Sequence, residues 1–90
     1  MSRTRKYHQQ TIDTITRFYE VFDDLVQTKK IKSINKFCEE FQIDKRNLYA
    51  QREDLNRGYF EVFWISVLIQ NYKASAKYLL FGKGRMYTAA

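Results

Sequence analysis

The chain has no proline, one cysteine, one histidine and only three glycines among its 90 residues. Each scarcity closes something off. With so few residues that interrupt regular backbone, helices can run wherever the hydrophobic pattern supports them. A single cysteine, Cys38, cannot form a disulfide within the chain, so nothing requires an oxidising compartment. His8 has no second metal ligand at useful spacing, and Cys38 reads as a small core residue rather than a redox or metal group. The GKG at 82–84 lacks the other glycines and the Ser/Thr of a phosphate loop and reads as a helix stop. With no convincing acid–base pair either, neither catalysis nor a cofactor nor a metal is expected. Long apolar runs are also missing. The longest, VFWISVLI at 62–69, is broken by Ser66 and far too short to span a bilayer. The N-terminus is basic and polar, without the apolar core of a signal peptide, so a cytoplasmic protein with no membrane partner is expected.

Aromatic residues are plentiful: seven Tyr, seven Phe and one Trp supply large pieces for a core in one small domain. The net charge is +6 and the sequence pI about 9.6. A basic balance points to an anionic partner, nucleic acid first and membrane surface second, with plain solubility as the bland explanation. The excess lies towards the two ends; residues 33–57 balance five basic against five acidic groups. Any attraction from that middle stretch must therefore come from sorting the two signs onto different faces.

Periodicity reads as five helices. Residues 1–8 form a basic arm with Arg3, Arg5 and Lys6. A helix over about 9–28 carries Ile12, Ile15, Tyr19, Phe22 and Val26 at spacings of three and four, widened by Phe18 and Leu25. The same spacing fits a coiled coil, but it lasts barely two heptads, which favours ordinary core packing. TKKIK at 28–32 is a polar, basic connection, and Ser33 is placed to cap a second helix whose inner face is Ile34, Phe37, Cys38 and Phe41. Gln42 and Ile43 break the pattern, and Asp44 caps a third helix over about 45–53. After the DLNRGY loop, a fourth helix over about 60–72 is apolar on nearly every side. Ser75 caps a short fifth helix over about 76–81 that turns Tyr78 and Leu79 inward; Gly82 ends it, and residues 82–90 form a loosely ordered tail.

The two short helices within 33–53 satisfy the spacing of a helix-turn-helix. Cys38 is small where the helices cross, Ile43 plugs the turn, and Leu48 faces inward. Lys45, Arg46 and Tyr49 then fall on the exposed side near the N-terminal end, the end that enters the major groove in such motifs. Arg bonds guanine bidentately, Lys donates to the same acceptors, and Tyr49 can touch a thymine methyl or a phosphate. Asn47, Arg52 and Arg57 are candidates for phosphate contacts, with pairing to a nearby acid the alternative for Arg52. The arm residues Arg3, Arg5 and Lys6 are candidates to follow the duplex backbone or enter a groove, with a disordered terminus as the bland alternative.

The order of a long first helix, SINKFCEEFQIDKRNLYAQRE, and two further helices ending YKASAKYLLFGKGRM resembles the λ-repressor-like, XRE-type DNA-binding domains over roughly residues 9–87. The ending, with its Leu-Leu pair and Gly-x-Gly-x-Met, is similar to phage-type repressor domains of bacterial genomes. The resemblance implies an all-α, compact five-helix domain over 9–81 in which helices two and three form the helix-turn-helix. It implies that Lys45 and Arg46 read bases, with Tyr49 and Ala50 one turn on, and that the start of helix two grips a phosphate. Three departures stand out. The turn carries Gln42 where Gly is common. Helix two opens with Ile34 rather than Gln, which passes the phosphate grip to Asn35 or Lys36. Gln51 occupies a position where an apolar core residue is expected. The resulting expectation is a sequence-specific binder of double-stranded DNA, a repressor-like regulator of phage or mobile-element type. It would act as a homodimer through helix four and the C-terminal segment (Tyr72, Tyr78, Phe81, Tyr87). The alternative is a small helical protein-interaction module with only non-specific affinity for nucleic acid.

Overall fold

The computed structural model describes residues 7–88. Within them the chain forms five helices: α1 (Gln9–Gln27), α2 (Ile34–Phe41), α3 (Lys45–Glu53), α4 (Val62–Tyr72) and α5 (Ala76–Phe81). No strand is present among the described residues, only an isolated antiparallel bridge between Ala74 and Tyr87. The all-helical reading therefore holds, and the helix boundaries fall within two residues of those expected from the pattern. No described helix is long and apolar enough to cross a membrane.

α1 is the central element. Its buried positions are Thr14, Ile15, Phe18, Tyr19, Val21, Phe22 and Leu25, an arc of roughly 160° at 3.6 residues per turn. Phe18 and Phe22 sit in the middle of that arc, whereas Ile12 and Val26 lie towards one rim and are half-buried. Val21, which the spacing leaves outside the stripe, is fully buried, because other elements cover α1 on more than one side. Phe18 is the hub of the aromatic core: its ring lies 5.0 Å from Tyr19, 5.5 Å from Phe60, 5.8 Å from Trp64 and 6.0 Å from Phe22. A second group continues from Phe22 through Phe37 to Phe41 and Tyr72. These offset and edge-to-face pairs tie α1, α2 and α4 into one cluster.

Local chemistry sets the ends of the helices. Ser33 Oγ accepts from Lys36 N–H at 3.2 Å and Ser75 Oγ from Tyr78 N–H at 3.2 Å, as the cap positions predict. α4 begins later than the hydrophobic run suggests, at Val62. The reason is Gln51: its side-chain oxygen accepts from the N–H groups of both Tyr59 and Phe60, at 3.0 and 3.1 Å, and holds that stretch outside the helix. The Gln51 amide nitrogen donates to Leu55 O at 2.9 Å. A fully buried polar side chain thus finds its partners inside the protein. The position expected to be apolar instead spans the α3–α4 connection.

α5 closes on α1. Gly82 takes φ 69°, the left-handed conformation of a helix stop, and donates to Tyr78 O at 2.8 Å. Arg17 of α1 reaches the same end, with Nε and Nη2 donating to Leu79 O and Leu80 O at 3.0 and 3.1 Å. A cation against carbonyls left free at a helix C-terminus is favoured by both hydrogen bonding and the helix dipole. A Cβ on residue 82 would lie 3.0 Å from Arg17 Nη1, so the close approach also favours glycine.

For the described residues of the tail, 82–88, the expectation of loose order is not met. Ser75 N–H donates to Met86 O and Thr88 N–H to Lys73 O, both at 2.8 Å, and the Tyr87 hydroxyl donates to Asp24 at 2.6 Å. The tail lies back along the α4–α5 junction and is fastened to α1. Such pairing joins segments more than ten residues apart and leaves no local pattern. Tyr72, Tyr78 and Tyr87, expected on a dimer surface, are half-buried and engaged within the chain: Tyr72 packs against Phe37 and Phe41, and Tyr78 donates to Glu20 at 2.6 Å.

Gln51→Leu removes the acceptor shared by Tyr59 and Phe60, and should cost about 1–3 kcal/mol, the usual penalty for orphaned backbone donors. It would be read as a lower urea midpoint at unchanged m-value; equal stability would show that those N–H groups have other partners. A second prediction concerns alkali. Burial, reinforced by Asp24, holds the Tyr87 hydroxyl well above its ordinary value of 10.0. Burial does the same for Tyr19, with Arg52 opposing. The folded state therefore keeps these protons longer than the unfolded chain, so their contribution is intact below about pH 10 and lost as pH rises beyond it. Urea midpoints measured across pH 8–11.5 should decline only in the upper part of that range, with phenolate absorbance lagging behind that of free tyrosine.

Candidate nucleic-acid interface

The candidate site is α3 and the turn that launches it. α2 ends with Gln42 at φ 57° and ψ 44°. Gln42 N–H donates to Glu39 O at 3.3 Å and Ile43 N–H to Cys38 O at 2.9 Å, the paired hydrogen bonds of a Schellman stop. Cys38 and Ile43, joined by the second of these bonds, are both buried. The chain then reverses through three residues, and Asp44 Oδ1 accepts from Arg46 N–H at 2.8 Å and Asn47 N–H at 3.2 Å. The carboxylate satisfies two donors that every helix start leaves free and complements the positive end of the dipole.

α3 is fixed from its inner side. Leu48 and Gln51, three residues apart and on one face, are fully buried. The Tyr19 hydroxyl donates to Leu48 O at 2.6 Å. Arg52 forms a bidentate pair with Asp23, at 2.7 and 3.3 Å, and its guanidinium lies 4.8 Å from the centre of the Tyr19 ring. α1 therefore holds α3 through a hydrogen bond, an ion pair and a stacked cation over about one helical turn.

The outer side carries Lys45, Arg46 and Tyr49, all exposed, with Asn47 and Ala50 half-buried beside them. At 41% exposure, Tyr49 offers its ring to a partner. The Lys45 ammonium donates to Asn35 Oδ1 at 2.6 Å. That bond ties the first turn of α2 to the first turn of α3 and leaves the Asn35 amide nitrogen free to donate outward. A hollow of about 300 Å³ lies between the two helices, lined by Asn35, Cys38, Glu39, Ile43 and Lys45. Burial pushes the Cys38 thiol up from its ordinary value, Lys45 pulling the other way. It is a packing residue at the crossing.

The residues assigned to phosphate contact divide into two groups. Lys36 is exposed at the start of α2, with Asn35 beside it. Arg52 is committed to Asp23 and Tyr19, the acid pairing that was its alternative. Arg57 lies 3.7 Å from Asp54 and 6.0 Å from the centre of the Tyr59 ring, at the far end of α3 from Lys45. Arg3, Arg5 and Lys6 lie outside the described residues. Sequence reasoning missed the two anchors, Tyr19 and Asp23, because each sits on the long first helix. The periodicity of α1 reports which residues are inside, not which later carbonyl or guanidinium they meet.

One prediction tests the turn. A side chain in the left-handed region costs about 1 kcal/mol relative to glycine, so Gln42→Gly should raise stability by about that amount. Thermal unfolding of the two proteins side by side would measure it; a lower Tm for the glycine variant would show that the Gln42 side chain contributes more than the backbone strain removes. Compared with protein-family models, with curated proteins and with solved structures, the chain has no significant match.

Proposed function

We propose that this chain binds double-stranded DNA sequence-specifically, with the N-terminal half of α3 in the major groove, as a repressor-like transcriptional regulator of phage or mobile-element type. The observation that carries the reading is the division of α3 into two sides. Its inner side is held by Leu48, Gln51, Tyr19 and Asp23, while its first turns present a lysine, an arginine and an exposed tyrosine to solvent. A helix used only for packing gains nothing from a rigid, outward cationic tip. A helix that must place hydrogen-bond donors against base edges needs one. Arg46 is the candidate for guanine O6 and N7, Lys45 for a neighbouring acceptor with Asn35 steering it, and Tyr49 and Ala50 for apolar contact with thymine methyls. Asn35, Lys36 and Asn47 lie around that tip as phosphate contacts. Phage-type repressor character rests on the resemblance of the sequence alone.

A site read by one short helix is brief, and a two-fold dimer doubles it. The tyrosines of the C-terminal segment are used inside the chain, but other apolar side chains are not. Val62 is 77% exposed and Phe63 48% at the start of α4, and Phe81 is 58% exposed at the end of α5. Val62, Leu80 and Phe60 line a groove of about 450 Å³ alongside the N-terminal end of α1, with no Lys, Arg, Asp or Glu in its lining. These residues support a dimer through α4 and the C-terminal segment. The same patch supports the second reading, a helical protein-interaction module in which DNA affinity is weak, non-specific and steeply salt-dependent.

The test is discrimination between sites. Selection from a random duplex pool should yield a preferred sequence. On it, the double variant Lys45→Ala/Arg46→Ala should keep the wild-type circular dichroism and lose roughly tenfold to a hundredfold of its preference over a scrambled duplex, since a good bidentate base contact is worth about 1–3 kcal/mol. Fluorescence anisotropy titrations would measure this. Preference that survives the double change, or a pool that never converges, would favour the protein-interaction reading.

A further inference from the structure

Beyond α3 itself, the α1–α2 connection adjoins Lys36 with a second basic surface whose two lysines, Lys30 and Lys32, the proposed contacts leave unused. α1 ends with the Thr28 hydroxyl donating to Asp24 O, and Lys29 turns the chain at φ 64°. Ile31 then drops into the core, 3% exposed, with its N–H on Leu25 O at 3.0 Å. Anchoring Ile31 inward leaves its neighbours, Lys30 and Lys32, exposed at the surface beside the start of α2. They line a cleft of about 190 Å³ with Lys36 and Ser33 from the start of α2; Glu40 and Tyr72 form its far side. Among the described residues, none of these three lysines takes part in an ion pair, whereas Arg52 and Arg57 both do. Glu40 is the one acidic group in the lining, so the cleft keeps a cationic excess.

Position gives this cleft its meaning. Ser33 and Lys36 belong to the same first turn of α2 as Asn35, and Asn35 holds the Lys45 ammonium. A continuous run of donors therefore leads from the tip of α3, across the first turn of α2, to Lys36, Lys32 and Lys30. A helix lying in the major groove has a phosphate backbone along each wall, and the groove is only about 12 Å wide. Whatever adjoins the tip of α3 on the α2 side then faces one of those walls. Resting on the reading of α3 as the groove-bound helix, we infer that Lys30 and Lys32, together with Lys36, grip the phosphate backbone flanking the site. They provide the sequence-independent share of the affinity, while Lys45 and Arg46 provide the selectivity. The two roles are separable because a lysine ammonium on phosphate is a point charge that releases a counterion and carries no base information.

The experiment titrates wild type, Lys30→Ala/Lys32→Ala and Lys30→Arg/Lys32→Arg against the selected duplex and a scrambled one, at salt concentrations from about 50 to 250 mM, the range over which counterion release is read. Each phosphate contact contributes about 0.9 to the slope of log K against log salt, so the alanine pair should lower the slope by about 1.8. The loss should be equal on both duplexes, leaving the ratio between them unchanged, and the arginine pair should restore the slope. Ile31 stays in place in every variant, so thermal unfolding should match wild type. An unchanged slope in the alanine pair, with site preference intact, overturns the lysine assignment and leaves α3 as the reader. A reduced slope with no site preference in wild type keeps the lysines as a backbone grip and removes α3. A wild type that ignores both duplexes yet binds polyglutamate overturns both.

Discussion

A primary amide buried without water must find its hydrogen bonds within the protein, and the placement of α3 depends on how Gln51 finds them. Its oxygen collects the N–H groups of Tyr59 and Phe60, and its nitrogen reaches Leu55 O. The side chain is thus a bracket between the last turns of α3 and the approach to α4. An apolar residue at that position would fill the space but leave the connection free to choose its own path. With the bracket in place, Leu48 and Gln51 point inward together, and the 3.6-residue period then turns Arg46 and Tyr49 outward, with Lys45 exposed at the flank where it meets Asn35. The outward face of the candidate interface is a consequence of the packing on the opposite side of the same helix.

The electrostatics obey the same division. The stretch from 33 to 57 is neutral in sum, yet its charges are not mixed evenly. Arg52 is drawn to Asp23 on α1 and Arg57 lies against Asp54, so two of its cations are occupied near the C-terminal end of α3. Asp44, an acid that would otherwise oppose a polyanion, is turned into the backbone of α3 as its cap. The cations at the N-terminal end are Lys45, Arg46 and Lys36, with Lys30 and Lys32 next to them. Exposed pairs such as Arg57–Asp54 contribute little stability. Their consequence here is positional: they take cations out of one region and leave those of another unpaired.

The sequence was most legible where a residue acts on its own neighbours. Ser33, Asp44 and Ser75 cap helices within three residues of themselves, and Gly82 ends one, so all four could be placed from spacing alone. The inner face of α2 is legible for the same reason. Legibility failed where the partner is remote. Arg17 caps a helix some sixty residues away, Tyr87 bonds to Asp24 on α1, and the bridge at Ala74 brings the tail back onto the body. Nothing in the local pattern of GKGRMYT announces an edge to pair with. The tyrosines of the last third read as surplus apolar surface because their partners are equally distant. Each carries a hydroxyl whose acceptor, or a ring whose neighbour, lies on another helix, and only tertiary placement shows that it is used.

Among the described residues, three that are not glycine, Lys29, Gln42 and Lys73, take positive φ at the ends of α1, α2 and α4. Each adopts a conformation that glycine would take more easily. All three stops are nevertheless tight, because a residue just downstream is anchored in each case: Ile31 and Ala74 bury themselves, and Ile43 seals the α2–α3 crossing. The strain is thus offset by apolar burial, at about 25 cal/mol per Å² removed from water. In two of the three places the residue under strain is a lysine. A glycine there would relieve the backbone and remove a positive charge from the rim of the fold. Lys29 and Lys73 thus keep an exposed charge at each chain reversal at a small cost in backbone strain.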